Sequence, residues 1–222
     1  MKVYFTSGIG ADHRLFTHLR LPEGFEASYI HWIPPLADES LSEYAIRLSK
    51  QIDTSEPFVL AGLSLGGIMS VEMAKHRKPL CTIIISSVPV SAHLPRYYRM
   101  AGQLGLGKII PASLLKAATA VKHSLMLRSA ANRRLMMDVI RSGDDHFIRW
   151  ALTAVLEWEN TEIPQPLYHL HGSRDEVFPI GLTKPTHVIR KAGHLFLLYN
   201  ADAVNRILSE ILLPVHPKAD II

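Results

Sequence analysis

The chain has 222 residues, 48% hydrophobic and 20% charged, with 13 Gly and 14 Pro, so it fits one ordinary domain with room for an added element and is too apolar to be disordered, collagenous or of low complexity. Cys81 stands alone and cannot close an internal disulfide, the opening MKVYFTSGIG lacks the apolar core and cleavage site of a secretory leader, and no run of 18 apolar residues occurs; a cytoplasmic protein without a membrane span is expected. The 24 basic and 20 acidic residues leave a net charge of +4, too mild over the whole chain to call for a nucleic-acid partner.

Short runs rich in β-branched or aromatic residues recur along the chain: KVYFT (2–6), ASYIHWI (27–33), PFVLAG (57–62), CTIIISS (81–87), PLYHLHG (166–172) and THVIRKAG (186–193). Most read as buried strands. Between them lie segments with helical spacing, SLSEYAIRLSKQI (40–52), LGGIMSVEMAKHR (65–77) and ADAVNRILSEILL (201–213). Strand alternating with helix predicts a predominantly parallel six-stranded sheet with helices on both faces, because each crossover must return the chain to the same edge. The fold class is α/β. The alternation breaks once. Residues 88–160 contain only helical material, IPASLLKAATAVKHSLMLR, NRRLMMDVIRSG and HFIRWALTAVLEW, broken by Pro89, Pro95, Pro111 and Gly143. This reads as a helical cap inserted into a core formed by 1–87 and 161–222; crossover helices packed on the sheet are the plainer alternative for its middle. The end, PVHPKADII, is proline-broken and expected to fray.

The strand PFVLAG runs through Gly62-Leu63-Ser64-Leu65-Gly66-Gly67 straight into a helix, which is G-x-S-x-G at a strand-to-helix turn. Side chains at 62 or 66 would collide in so tight a turn, and Ser64 must take a strained backbone conformation that exposes its hydroxyl. A serine hydroxyl needs a base to take its proton and a third group to orient that base. Both should follow later strands at the same end of the sheet, because ligands gather outside the carboxyl ends of parallel strands. Asp175 follows PLYHLHG within His171-Gly172-Ser173-Arg174-Asp175, and His194 follows THVIRKAG, giving the chain order Ser, Asp, His expected for such an elbow. Glu176, beside Asp175, is the alternative acid. His13, His31, His169 and His171 also stand near strand ends and read as structural or pocket-lining.

The first strand ends in Thr6-Ser7-Gly8-Ile9-Gly10. In an acyl-transfer site one oxyanion donor is the N–H after the nucleophile, here Leu65, and the other comes from a loop of this kind. Ile9 is assigned as the second donor, with Gly8 and Gly10 letting the backbone approach the substrate. A dinucleotide fingerprint would put a third glycine where His13 stands, so no nucleotide cofactor is expected. No H-E-x-x-H or Cys pair occurs, and no metal is expected.

These residues resemble the α/β-hydrolase fold enzymes over nearly the whole chain. Ser7-Gly8-Ile9-Gly10 stands where the family commonly has a His-Gly-containing oxyanion loop, GLSLGG is similar to its nucleophile elbow, HGSRDEVFP to its acid loop and AGHL to its histidine loop. The resemblance implies a compact version lacking the first two strands of the family sheet, with a helical cap inserted after the strand that follows the elbow helix. Ser7 in place of the frequent histidine is a departure. Within the family an aspartate nucleophile would imply a dehalogenase and a cysteine a dienelactone hydrolase; serine implies an ester or thioester substrate. The expected activity is acyl transfer to water on a small carboxylic ester or thioester, with Ser64, Asp175 and His194 as triad and Ile9 and Leu65 as oxyanion donors. A noncatalytic ligand-binding protein, or a lyase or transferase on the same scaffold, is the competing expectation.

The insert contributes Met100, Leu104, Leu106, Met126, Met136, Met137, Trp150 and Trp158, consistent with an apolar acyl pocket, and Met126 and Trp150 are assigned to substrate binding. Its charge is uneven. Residues 90–150 hold ten Lys or Arg (Arg96, Arg99, Lys108, Lys116, Lys122, Arg128, Arg133, Arg134, Arg141 and Arg149) against Asp138, Asp144 and Asp145, a net +7 that leaves −3 elsewhere. A basic cap could steer an anionic or carrier-linked substrate; a solvated helix face is the simpler use of the same charge.

Overall fold

The computed structural model describes residues 1–104, 111–113, 116–117 and 129–215, without the side chains of Arg99 and Gln103. Six strands, β1 (Lys2–Thr6), β2 (Glu26–Ile30), β3 (Phe58–Leu63), β4 (Thr82–Ile85), β5 (Leu167–Gly172) and β6 (His187–Ile189), form one all-parallel sheet in the order β2-β1-β3-β4-β5-β6. The α-helices among the described residues are α1 (Leu41–Leu48), α2 (Leu65–Arg77), α3 (Arg96–Gln103), α4 (Ala130–Ser142), α5 (Asp145–Leu156) and α6 (Ala201–Val215).

The side-chain alternation of the strands sorts the interior into two cores. Val3, Phe5, Val59, Ala61, Ile83 and Ile85 point to one face and pack against Val204, Leu208, Ile211 and Leu212 of α6. Tyr4, Phe58 and Leu60 point to the other, where Tyr44 and Leu48 of α1 and Ile68, Met69 and Met73 of α2 cover them. Both faces are therefore covered, as an all-parallel sheet requires.

Two expected strands are shorter than their apolar runs. After Ile30 side chains replace the ladder: His31 N–H donates to Gln51 Oε1 (3.0 Å) and Ile33 N–H to Tyr44 OH (3.0 Å). After Ile189 the chain turns at Lys191 (φ 58°), whose N–H donates to Ser173 Oγ at 2.8 Å.

Among the described residues of 88–160 there is no strand. Ser129 caps α4 and Asp144 caps α5, its carboxylate accepting from Phe147 N–H at 2.6 Å, while Gly143 separates the two helices. Helix α3 was not expected: Pro95 reads as a break, yet it stands immediately before the first helical residue, where its missing N–H costs nothing. Met136, Val139 and Ile140 of α4 join the core under α6, and Phe147, Ile148 and Ala151 of α5 join the core under α1 and α2. The helix expected within 110–128, together with Leu106, Lys108, Lys122, Met126 and Arg128, and the tail from 216, lie mainly or wholly outside the described residues. Pro214 lies inside α6 rather than beyond it.

Candidate active site

At the end of β3, in the middle of the sheet, Ser64 is held at φ 56°, ψ −120°. A non-glycine residue at such a φ is strained, and the surroundings over-determine it. Ser64 N–H donates to Ile85 O of β4 (2.9 Å), and Ser87 Oγ donates to Ser64 O (2.7 Å). The flanking glycines are demanded by contact: a Cβ on Gly62 would lie 2.0 Å from Gly66 O, and one on Gly66 would lie 2.0 Å from Thr6 O. The second of these approaches brings the start of α2 against the end of β1.

His194 follows β6. Its Nε2 lies 2.9 Å from Ser64 Oγ, and its Nδ1 lies 2.9 and 3.0 Å from the two carboxylate oxygens of Asp175, which follows β5. Asp175 Oδ1 also accepts from Val177 and Phe178 N–H, both at 2.9 Å. Burial pushes the Asp175 carboxyl up, but the hydrogen bond and charge of His194, the Phe178 amide and His171 together outweigh it and hold the group below the ordinary carboxylate value. Asp175 is thus an acceptor, so the His194 proton sits on Nδ1 and a lone pair on Nε2 faces the serine. Glu176, the alternative acid, is engaged elsewhere, its carboxylate accepting from His194 backbone N–H at 3.2 Å.

The loop after β1 completes the cluster. A Cβ on Gly8 would be 3.6 Å from Ser64 Cβ, so the loop passes in van der Waals contact with the elbow. Ser7 Oγ donates to Ala11 O (2.6 Å) and Ala11 N–H to Gly8 O (3.1 Å), which closes the loop locally. Neither Ile9 N–H nor Leu65 N–H donates to another described residue. For Leu65 this follows from its place as first residue of α2, where no intrahelical acceptor exists. Gly10 adopts φ 63°, and a Cβ there would meet Ile148 Cδ1 at 2.8 Å. The α4–α5 turn comes down on this loop, Gly143 against Gly10 O, with Arg14 Nη2 donating to Ser142 Oγ at 2.7 Å.

A cavity of about 140 Å³ opens beside Ile9 and Gly10, lined by Met136, Val139, Ile140, Ile148 and Leu152, with Lys116 its charged wall residue among those described. Lys116 Nζ donates to Gly143 O (2.5 Å) and pairs with Asp145. Trp150 stands apart from this group. Its ring lies 4.3 Å from that of Tyr44 and its Nε1 donates to Glu39 O at 2.9 Å, so burial against α1 decides its direction. It lines an open groove of about 620 Å³ with Asp38, Ser40 and Arg149 among others. Met126 lies outside the described residues.

Sequence reasoning passed over Ser86 and Ser87. Ser86 Oγ donates to His194 O at 2.6 Å, so adjacent serines at the end of β4 brace the carbonyls of both His194 and Ser64. Two polar residues closing the apolar strand CTIII were the available signal. Among the described residues no group of three or more His, Cys, Asp or Glu could hold a metal, and no helix is long and apolar enough to cross a membrane.

No protein-family model and no curated protein matches the chain. Solved structures do. A thermophilic esterase from Thermogutta terrifontis with malate bound superposes at TM-score 0.73 and 17% identity, over 98% of this chain and 91% of that one. MenH from S. aureus gives 0.77 and 18%, over 98% and 95%. ClbQ from the colibactin NRPS/PKS pathway gives 0.61 and 13%, over 96% and 97%. Together with the parallel sheet and its elbow, these likenesses establish that the chain has the α/β-hydrolase fold.

Proposed function

We propose that the protein is a serine hydrolase that cleaves a small carboxylic ester or thioester through an acyl-enzyme. The observation that carries this reading is the hydrogen-bonded line from Ser64 Oγ through His194 to Asp175, with Ser64 raised on a strained turn. His194 Nε2 takes the hydroxyl proton as Ser64 Oγ attacks the carbonyl carbon, and the oxygen, now negative, accepts from Leu65 and Ile9 N–H. Collapse expels the alcohol or thiol, which receives the proton from His194. Water, deprotonated by the same nitrogen, then attacks the acyl carbon and regenerates Ser64. Asp175 keeps Nδ1–H aimed away from the serine and stabilises the imidazolium formed in each step.

Residues 88–160 serve as the cap, their α4–α5 turn resting on the Gly8–Gly10 loop. The cavity beside Ile9 takes the acyl group. Its 140 Å³ is close to the roughly 150 Å³ known to accommodate a benzene ring, so acyl groups up to about that size are favoured. The esterase among the structural neighbours is in keeping with the proposal.

Ser64→Ala tests it. Turnover of p-nitrophenyl acetate and butyrate should fall about 10⁴-fold or more, and labelling by a fluorophosphonate probe should vanish. Full activity in that variant would overturn the role given to Ser64, whereas a parent protein that folds but neither labels nor turns over esters would favour a binding protein under the same cap.

A further inference from the structure

Behind Asp175 lies a second line of hydrogen bonds that the acyl-transfer steps do not use. His169 and His171, both on β5 and both buried, point to the same face of the sheet, as residues two apart on a strand must. His171 Nε2 lies 2.7 Å from Phe178 O, and His171 Nδ1 lies 2.9 Å from His169 Nε2. A carbonyl oxygen can only accept, so the Nε2 of His171 must carry the proton; its Nδ1 is then the acceptor and His169 Nε2 the donor. The Phe178 carbonyl thus fixes the tautomer of His171, while the backbone of Ser87 also bears on the His169 ring.

Phe178 closes the acid loop. Its N–H donates to Asp175 Oδ1, its C=O accepts from His171, and its ring lies 5.7 Å from that of His194. His171 Nε2 also comes within 3.6 Å of Asp175 Oδ2, too far for a good hydrogen bond. Burial lowers the tendency of His171 to protonate, and burial together with His171 pushes His169 down to about 3, so at neutral pH both rings are uncharged. The contact with Asp175 is therefore not an ion pair, and the carboxylate keeps His194 Nδ1 as its hydrogen-bond partner.

Resting on the serine-hydrolase reading above, we infer that His171 is a positioning residue: its Nε2–H, aimed by His169, pins Phe178 O and through it holds the 175–178 loop so that Asp175 faces His194 Nδ1. The role lies in where the loop is held, not in contact with substrate.

The test compares His171→Leu with His171→Gln, whose side-chain amide can return an N–H near the position of Nε2. Fluorophosphonate titration of the parent first establishes that Ser64 is a nucleophile; if the parent neither labels nor turns over esters, it is the hydrolase reading that fails. With that established, His171→Leu should show kcat per titrated site lowered about tenfold to a hundredfold, with KM within about twofold of the parent, and His171→Gln should recover most of the loss. A merely structural role would lower the yield of titratable sites and leave kcat per site unchanged. Parent-like kcat per site in His171→Leu, or equal losses in Leu and Gln, overturns the inference. Should His171→Leu not fold, His171→Asn replaces it: its amide is one methylene short of Phe178 O, so it should fall well below Gln, and equality of the two overturns the inference.

Discussion

At the scale of single residues, the site depends on groups kept in one protonation state by their surroundings. The two buried histidines are the clearest case, since both are held below the ordinary value for histidine, His169 at about 3. In the unfolded chain they would titrate near about 6.5. Below that pH the unfolded chain takes up protons that the folded one refuses. The stability carried by the neutral rings is therefore complete above about pH 6.5 and is lost as pH falls, for His169 down to about pH 3 at about 1.4 kcal/mol per pH unit. Asp175 opens a second, lower window. Its folded-state value is depressed, so its contribution is present above about pH 3.9 and lost as pH falls through that lowered value. The expected result is a Tm that declines more steeply between about pH 6.5 and 4 in the parent than in His169→Gln, which keeps a donor for His171 but does not titrate. Parallel curves from calorimetry would contradict the assignment.

At the scale of elements, the segment after β4 is tied to α2 by more than apolar contact. Trp158, just past α5, donates from Nε1 to Glu72 Oε1 of α2 at 2.9 Å, and Lys75 Nζ donates to the same oxygen at 2.8 Å. Glu72 is buried, and its Oε2 has no partner among the described residues. Trp158→Phe keeps most of the ring volume and removes one of two donors to a buried carboxylate, which should cost about 1–3 kcal/mol. The urea midpoint reads this directly, and an unchanged midpoint would show that Glu72 does not need the indole.

The same scale explains which parts of the site could be read from the chain. An elbow is legible because its constraint is local: the glycines at 62 and 66 face each other and Thr6 O across contacts set by one turn. Asp175 and His194 were legible because each stands just beyond a strand. His171, Ser86 and Ser87 were not, because their partners, Phe178 O, His194 O and Ser64 O, are defined only once β4, β5 and β6 lie side by side. Trp150 shows the converse: an aromatic on an amphipathic helix does not say which neighbour will cover it, and here Tyr44 does.

At the scale of the whole molecule, two properties remain: charge and the layout of the sheet. Residues 90–150 carry net +7 against −3 for the rest of the chain. If that asymmetry steers substrate, raising ionic strength from about 0.02 to 0.5 M should depress kcat/KM for a carboxylate-bearing ester several-fold and leave a neutral ester nearly unaffected. An equal response of the two esters would assign the charge to solvation alone. The layout bears on how the protein fails. Ser64 leaves a strand paired on both sides, whereas His194 follows β6, a strand of three residues at the rim of the sheet whose sole strand partner among the described residues is β5. Short, singly paired segments open at lower free energy than a doubly paired centre. His194 thus hangs from the part of the sheet that frays first, so if it is the base proposed above, in a urea series esterase activity should vanish at a lower denaturant concentration than the far-ultraviolet signal of the fold. Superimposable curves would mean that the rim survives as long as the core.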